Sequence, residues 1–154
     1  MSSLLLNDSV KNIFSIEKKC IINTDLDGLI SGMLLQKFLK WKVVGFSCCC
    51  GKPDDELWLF DTNEELKDCV FVDLPVCVEN IPVIDQHFVL FDKSSIDRYN
   101  KPKNKINPNV MRERLFKNER GYCEYTKKYP FGTAHFILAV LENLGYITPE
   151  FKID

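Results

Sequence analysis

The chemistry available to this sequence rests mainly on four aspartates and one histidine. Asp25 and Asp27 follow the short apolar run Cys20-Ile21-Ile22, Asp73 follows Cys69 to Val72, and Asp85 follows Val83-Ile84 with His87 two residues on. Each run reads as a buried strand. In a parallel α/β sheet the carboxyl ends of the strands face a common crevice, which is where ligands bind. Four carboxylates brought to one crevice repel one another unless a cation neutralises them. Oxygen ligands suit a hard divalent ion, Mg²⁺ or Mn²⁺, and the His87 nitrogen tilts the choice toward Mn²⁺. Two such ions can hold a water as hydroxide and clamp a phosphoryl group for in-line attack. The same residues have a plainer use, because an Asp after a strand often caps the helix or turn that follows. Both readings stay open at this level.

The elements that must carry these residues follow from periodicity. Asn7 to Ile16 is expected to form a short helix capped by Asn7 or Asp8. Leu26, Leu29, Ile30, Met33, Leu34, Phe38 and Leu39 recur at three- and four-residue steps, which predicts an amphipathic helix of about three turns with those side chains on its apolar face. Val43 to Phe46 is a second strand, Lys52 to Asp55 a turn, and Leu57 to Phe60 a third strand. Phe88 to Phe91 continues the apolar character after Asp85. Lys93 to Asn109 is polar, basic and rich in Asn and Pro, which predicts a long loop. Thr133 to Leu144 is a second long helix with Phe136, Ile137, Val140, Leu141 and Leu144 on one face and Gly145 as its stop signal. Alternating strands and helices indicate an α/β fold, a mostly parallel sheet flanked by helices.

With 154 residues the chain is read as a single domain, its core spanning about residues 18–146. Hydrophobic residues at 45% and charged residues at 27% allow a buried core and exclude a disordered chain. No apolar stretch is long enough to cross a membrane, and no export signal is apparent, so a cytoplasmic location with seven reduced cysteines is expected. The net charge of −2 conceals an asymmetry: residues 1–92 carry 8 Lys and Arg against 15 Asp and Glu, whereas residues 93–128 carry 11 against 4. An acidic lobe beside a basic segment suits a carboxylate-bound metal next to a phosphate-binding surface; two solvated faces of opposite sign have the same signature. Tyr99, Phe116, Tyr122 and Tyr125 interleave the basic segment and could stack on bases of single-stranded nucleic acid, or the segment could dock on a protein partner.

Asn23-Thr24-Asp25-Leu26-Asp27-Gly28-Leu29-Ile30-Ser31 resembles the first motif of the DHH phosphoesterases, an Asp-x-Asp-Gly-x-x-Ser run that closes a strand and opens a helix. Phe71-Val72-Asp73 resembles the second motif, and Ile84-Asp85-Gln86-His87 the Asp-His-His third motif. Ile106-Asn107-Pro108-Asn109 and Tyr129-Pro130-Phe131-Gly132-Thr133-Ala134 resemble segments of RecJ-type single-strand exonucleases, in the same order. The resemblance implies a two-metal, Mn²⁺-dependent hydrolase acting on a phosphoester of a nucleotide or single-stranded nucleic acid. Asp25, Asp27, Asp73 and Asp85 would lie in the metal shell, with Asp73 bridging the ions. Asp73 and His87 would be catalytic, His87 acting on the substrate phosphate or steadying the site. Asn23, Ser31, Gln86 and Asn107 would face substrate.

The sequence departs from the pattern at three points. Asn23 stands where the family has a His or Asp ligand, Gln86 replaces the first His of the third motif, and the family's fourth motif and second lobe are expected to be missing from the sequence up to Asp154. An amide is a poorer metal donor than either group it replaces. A degenerate, non-catalytic binding or assembly subunit is therefore the competing expectation, as is a protein partner that supplies the second lobe. Thr24-Asp25-Leu26-Asp27-Gly28 also resembles the first motif of haloacid-dehalogenase-type phosphatases, although Leu29 stands where those proteins place Thr. Cys48-Cys49-Cys50, with Cys123, reads as structural thiols rather than a zinc site, and His135, Trp41 and Trp58 as packing or surface residues.

Overall fold

Strands covered on both faces need apolar side chains at every position, and the runs at Cys20–Ile22 and Cys69–Val72 meet that condition. A computed structural model describes residues 8–48, 57–76, 78, 80–87, 104–111 and 129–148. In chain order these residues form α1 (Asp8–Ile13), β1 (Lys19–Asn23), α2 (Leu26–Leu39), β2 (Lys42–Ser47), β3 (Leu57–Leu59), β4 (Cys69–Val72), β5 (Val83–Ile84), β6 (Lys105–Ile106), α3 (Pro108–Met111) and α4 (Thr133–Asn143). The protein is α/β. Its strands make one six-stranded sheet in the order β3-β2-β1-β4-β5-β6, parallel throughout except for the antiparallel β2–β3 pair.

The register sorts the strand side chains onto two faces. Cys20, Ile22, Val70, Val72, Ile84 and Ile106 point to one face and pack with Val10 and Ile13 of α1, Leu35 and Leu39 of α2, and Phe136, Ile137, Val140 and Leu141 of α4. Ile21, Phe71 and Val83 point to the other, with Val44 and Leu74, covered by Leu59, Leu66, Val76 and Ile81. Among the described residues no helix is long and apolar enough to cross a membrane.

Two expectations are corrected. The stretch Lys93–Asn109 is not all loop, because Lys105–Ile106 pairs with β5 as the edge strand and Pro108–Met111 forms a helical turn. Ile106 is buried there, and the Lys105 ammonium donates to the carbonyls of Val76, Val78 and Ile81 at 2.9, 2.8 and 3.3 Å. Two residues between Asn104 and Asn107 carry no periodic signal, so only the tertiary pairing defines the strand.

The second correction concerns α2, which forms as expected and packs Leu34, Phe38 and Leu39 against the core, but turns the other expected residues of its apolar face outward. Gly28, Ser31, Gly32, Leu35 and Leu39 point inward, while Leu26 and Met33 are 72% and 68% exposed and Leu29 and Ile30 are exposed as well. A Cβ on Gly32 would stand 3.2 Å from Ile22 Cγ2, and one on Gly28 would collide with the Asn23 carbonyl. Small residues therefore let α2 lie directly on β1, and Leu26, Leu29, Ile30 and Met33 are turned outward. Phe88–Phe91, the turn at Lys52–Asp55, Cys49, Cys50, Cys123 and the basic residues of 93–103 and 112–128 with their tyrosines and Phe116 lie outside the described residues. Trp41 is buried, its indole donating to Ser15 O at 2.6 Å, while Trp58 is partly exposed against Phe46 at 5.2 Å between centroids.

Candidate metal centre

The strand order reverses between β1 and β4, since the chain leaves β1 for β2 on one side and later places β4 on the other. Such a switch point opens a crevice at the carboxyl ends of the strands. Asn23 ends β1, Asp73 follows β4, Asp85 follows β5 and Asn107 follows β6, so each strand end delivers a polar side chain there. The backbone ladder runs on through both aspartates: Asp73 N–H donates to Ile84 O at 2.8 Å and Asp85 N–H to Ile106 O at 2.9 Å. Asp73 has φ 59°, a left-handed conformation that Asp tolerates better than most residues and that ends the strand.

Asp73 and Asp85 are fully buried. Asp73 Oδ1 accepts from the Thr133 hydroxyl at 2.6 Å, and Asp85 Oδ1 lies 2.6 Å from His87 Nδ1, which is itself 3.8 Å from Asp73 Oδ1. Asp85 Oδ2 has no partner among the described residues. A buried acceptor left this way costs about 1–3 kcal/mol, more when charged. One ligand atom from each of Asp73, Asp85 and His87 lies within 4.8 Å of the others. Two carboxylates and an imidazole, one oxygen of them buried without a donor, fit a divalent cation. Burial pushes the Asp73 carboxyl up to about 7, the Thr133 hydroxyl bond opposing the shift and Asp27 and Asp25 adding to it. The hydrogen bond to Asp85 raises His87 to about 8 against the effect of its burial, with the charges of Asp85, Asp73 and Asp25 adding to the rise.

Asp25 and Asp27 sit in the same crevice with different commitments. Asp25 is the N-cap of α2, its Oδ1 accepting from Gly28 N–H at 2.9 Å. Asp27 caps the other helix. Its two oxygens accept from Thr133 N–H at 2.7 Å and Ala134 N–H at 2.9 Å at the start of α4, where no local side chain serves as cap. A Cβ on Gly132 would stand 2.5 Å from Asp27 Oδ2, so that carboxylate needs glycine at the position before the helix. Asn23 joins the two halves of the crevice: its amide nitrogen donates to Asp25 Oδ2 at 3.1 Å and to Asp73 Oδ2 at 3.4 Å. Asp25 and Asp27 thus serve as helix caps, while Asp73 and Asp85 are the two aspartates that form, with His87, a group able to hold a metal ion.

The remaining candidates fall into place around them. Asn107 is buried, donating to His87 O at 2.9 Å and accepting from Asn109 N–H at 2.9 Å. Gln86 is half-buried and its carbonyl accepts from Asn109 Nδ2 at 2.5 Å. Ser31 is fully buried on α2 and its hydroxyl has no partner among the described residues. Asn109, Thr133 and Gly132 are the site residues that sequence reasoning missed. Asn109 lies in the Asn-Pro-Asn segment and the other two in the Tyr-Pro-Phe-Gly-Thr segment, so both signals were present as motifs without a role. His135 is exposed and stands 5.5 Å from the Phe131 ring, itself 55% exposed. A separate hollow of about 770 Å³ at the amino ends of the strands, lined in part by Asp8, Asn12, Lys18, Asn80 and Asn104, contains none of these residues. Compared with known proteins, the chain matches no family model, no curated protein and no solved structure.

Proposed function

We propose that the chain is a divalent-metal-dependent phosphoesterase domain of the DHH type, acting on the phosphoester of a nucleotide or short single-stranded nucleic acid. The observation that carries this reading is the Asp73–Asp85–His87 group at the strand switch point, its two carboxylates buried and one of their oxygens unmatched among the described residues. Asp73, Asp85 and His87 would hold Mn²⁺ or Mg²⁺, which when bound would supply Lewis-acid polarisation of a phosphoryl oxygen. The chain's own part is orientation. Asp85 fixes the His87 ring through Nδ1, the Thr133 hydroxyl fixes Asp73, and Asn107 and Asn109 hold the backbone of Gln86 and His87. The exposed Phe131, one residue from the glycine that abuts Asp27, supplies a flat apolar surface of the kind on which a base stacks. The excess of Lys and Arg in residues 93–128 suits a phosphate backbone.

A second reading, a non-catalytic binding or assembly subunit, is favoured by one specific observation. Asn23 supplies a neutral amide between Asp25 and Asp73, and Gln86 supplies a second amide beside His87. In that case a protein partner carrying a further lobe would complete or occupy the crevice. Hydrolysis of bis(p-nitrophenyl) phosphate and of an end-labelled short single strand, with and without Mn²⁺, separates the two. Metal-dependent cleavage that Asp73→Asn lowers by more than about 100-fold is the expected result, since even supporting residues of metal sites cost 10–100-fold. A Mn²⁺-induced rise in Tm without cleavage of either substrate would favour the binding subunit. Neither a rise in Tm nor cleavage would remove the metal reading altogether.

A further inference from the structure

We infer that the centre takes a single divalent cation, at Asp73, Asp85 and His87, and that the Asn23 amide joins Asp25 to Asp73 in place of a second one. The inference rests on the metal reading above and narrows it. Its basis is the unequal way in which the carboxylates of the crevice are already satisfied.

On the β1 side every partner comes from the chain. Asn23 is buried, and its Oδ1 accepts from Thr24 N–H at 2.8 Å. That bond fixes the amide orientation, because a flipped side chain would set its NH₂ against a backbone N–H and its oxygen against two carboxylates. The two Nδ2 hydrogens therefore face Asp25 Oδ2 and Asp73 Oδ2. Asp25 Oδ1 is taken by Gly28 N–H, and both oxygens of Asp27 by the first N–H groups of α4. The close approach of Gly28 to the Asn23 backbone holds β1 and α2 together and keeps the amide over the two carboxylates.

On the β5 side the account is open. Asp85 is fully buried, among the described residues its Oδ2 has no donor, and its other oxygen faces His87, a residue able to act as a ligand itself. A divalent ion on that side would meet the unmatched Asp85 Oδ2, whereas on the other a neutral donor built into the chain already bridges the acids. An ion can leave and be exchanged; an amide bonded to the backbone cannot.

Counting Mn²⁺ equivalents bound to the full chain, by calorimetry and by the loss of the free-ion paramagnetic resonance signal, tests this without reference to activity. One equivalent is expected for the wild-type chain. Asp85→Asn should weaken it at least 100-fold, while Asp25→Asn, which keeps a residue suited to an N-cap, should retain one equivalent with affinity changed less than about fivefold. Asn23→Asp, which replaces the bridging donor with a third acid, should gain a second equivalent. Two equivalents in the wild-type chain, or loss of binding in Asp25→Asn equal to that in Asp85→Asn, would overturn the one-ion assignment while leaving the metal centre standing. A folded Asn23→Asp with one equivalent would remove the role given to Asn23. No binding by the wild-type chain would remove the metal centre itself. If Asn23→Asp does not fold, the wild-type count and Asp25→Asn decide the matter.

Discussion

Asn107 and Asn109 bond to backbone groups, yet they govern where His87 stands. Both are buried, and between them they bind the carbonyls of Gln86 and His87 and accept the N–H of Tyr129. A buried carbonyl that loses its donor costs about 1–3 kcal/mol. Asn109→Ala is therefore expected to lower stability by that amount in urea denaturation, and to weaken Mn²⁺ binding about 10–100-fold because the segment carrying Asp85 and His87 loses its support. Unchanged Mn²⁺ affinity in a destabilised Asn109→Ala would confine the residue to a structural role. The contrast with Asp73, Asp85 and His87 shows what the sequence makes legible at this scale. Those three follow apolar strands, so chain pattern alone places them at strand ends. Asn109 and Thr133 act through bonds 20 to 60 residues away, to Gln86, Tyr129 and Asp73, and local pattern does not encode such distances.

Among the elements, α2 shows how periodicity can find a helix and still miss its buried face. Apolar residues at three- and four-residue steps were the signal for Leu26 to Leu39, and the helix is there. Its inner face, however, is set by Gly28, Ser31 and Gly32, which let it approach β1, with Leu35 and Leu39 fully buried and Leu34 and Phe38 partly buried beside them. The expected effect on stability follows burial rather than hydrophobicity. Leu35→Ala should cost about 2–5 kcal/mol as a fully buried leucine, and Met33→Gln should stay within about 0.5 kcal/mol as a surface change. Equal losses for the two in thermal or urea unfolding would contradict this packing. The edge strand β6 failed to register for a related reason. Lys105 and Ile106 are too few to establish a period, and the lysine that makes the stretch look solvated has its ammonium committed to three carbonyls.

For the molecule as a whole, the proposed centre would tie folding, protonation and metal binding together. The folded-state pKa of Asp73 is raised from 3.8 to about 7, chiefly by burial, and that of His87 from 6.5 to about 8, chiefly by its bond to Asp85. In both cases the native state holds the proton more tightly than the unfolded chain. The stability each contributes is fully present below its unfolded value, near pH 4 for Asp73 and 6.5 for His87, and is lost as pH rises through the folded value. Between about pH 4 and 8 the metal-free protein should therefore lose stability from these two groups. Comparison with Asp73→Asn isolates the carboxylate's share, because that variant removes its titration and should flatten the corresponding part of the curve. A divalent ion held as proposed would reverse the trend, since it would bind the deprotonated acid and the neutral imidazole and so displace the same protons. The Tm shift produced by a fixed Mn²⁺ concentration should accordingly grow from pH 5.5 to 8.5, toward about 2.7 kcal/mol of added stability where the ion reaches a hundredfold excess over its Kd. A shift that stays constant over that range would mean that the ion binds elsewhere, away from the protons held by Asp73 and His87.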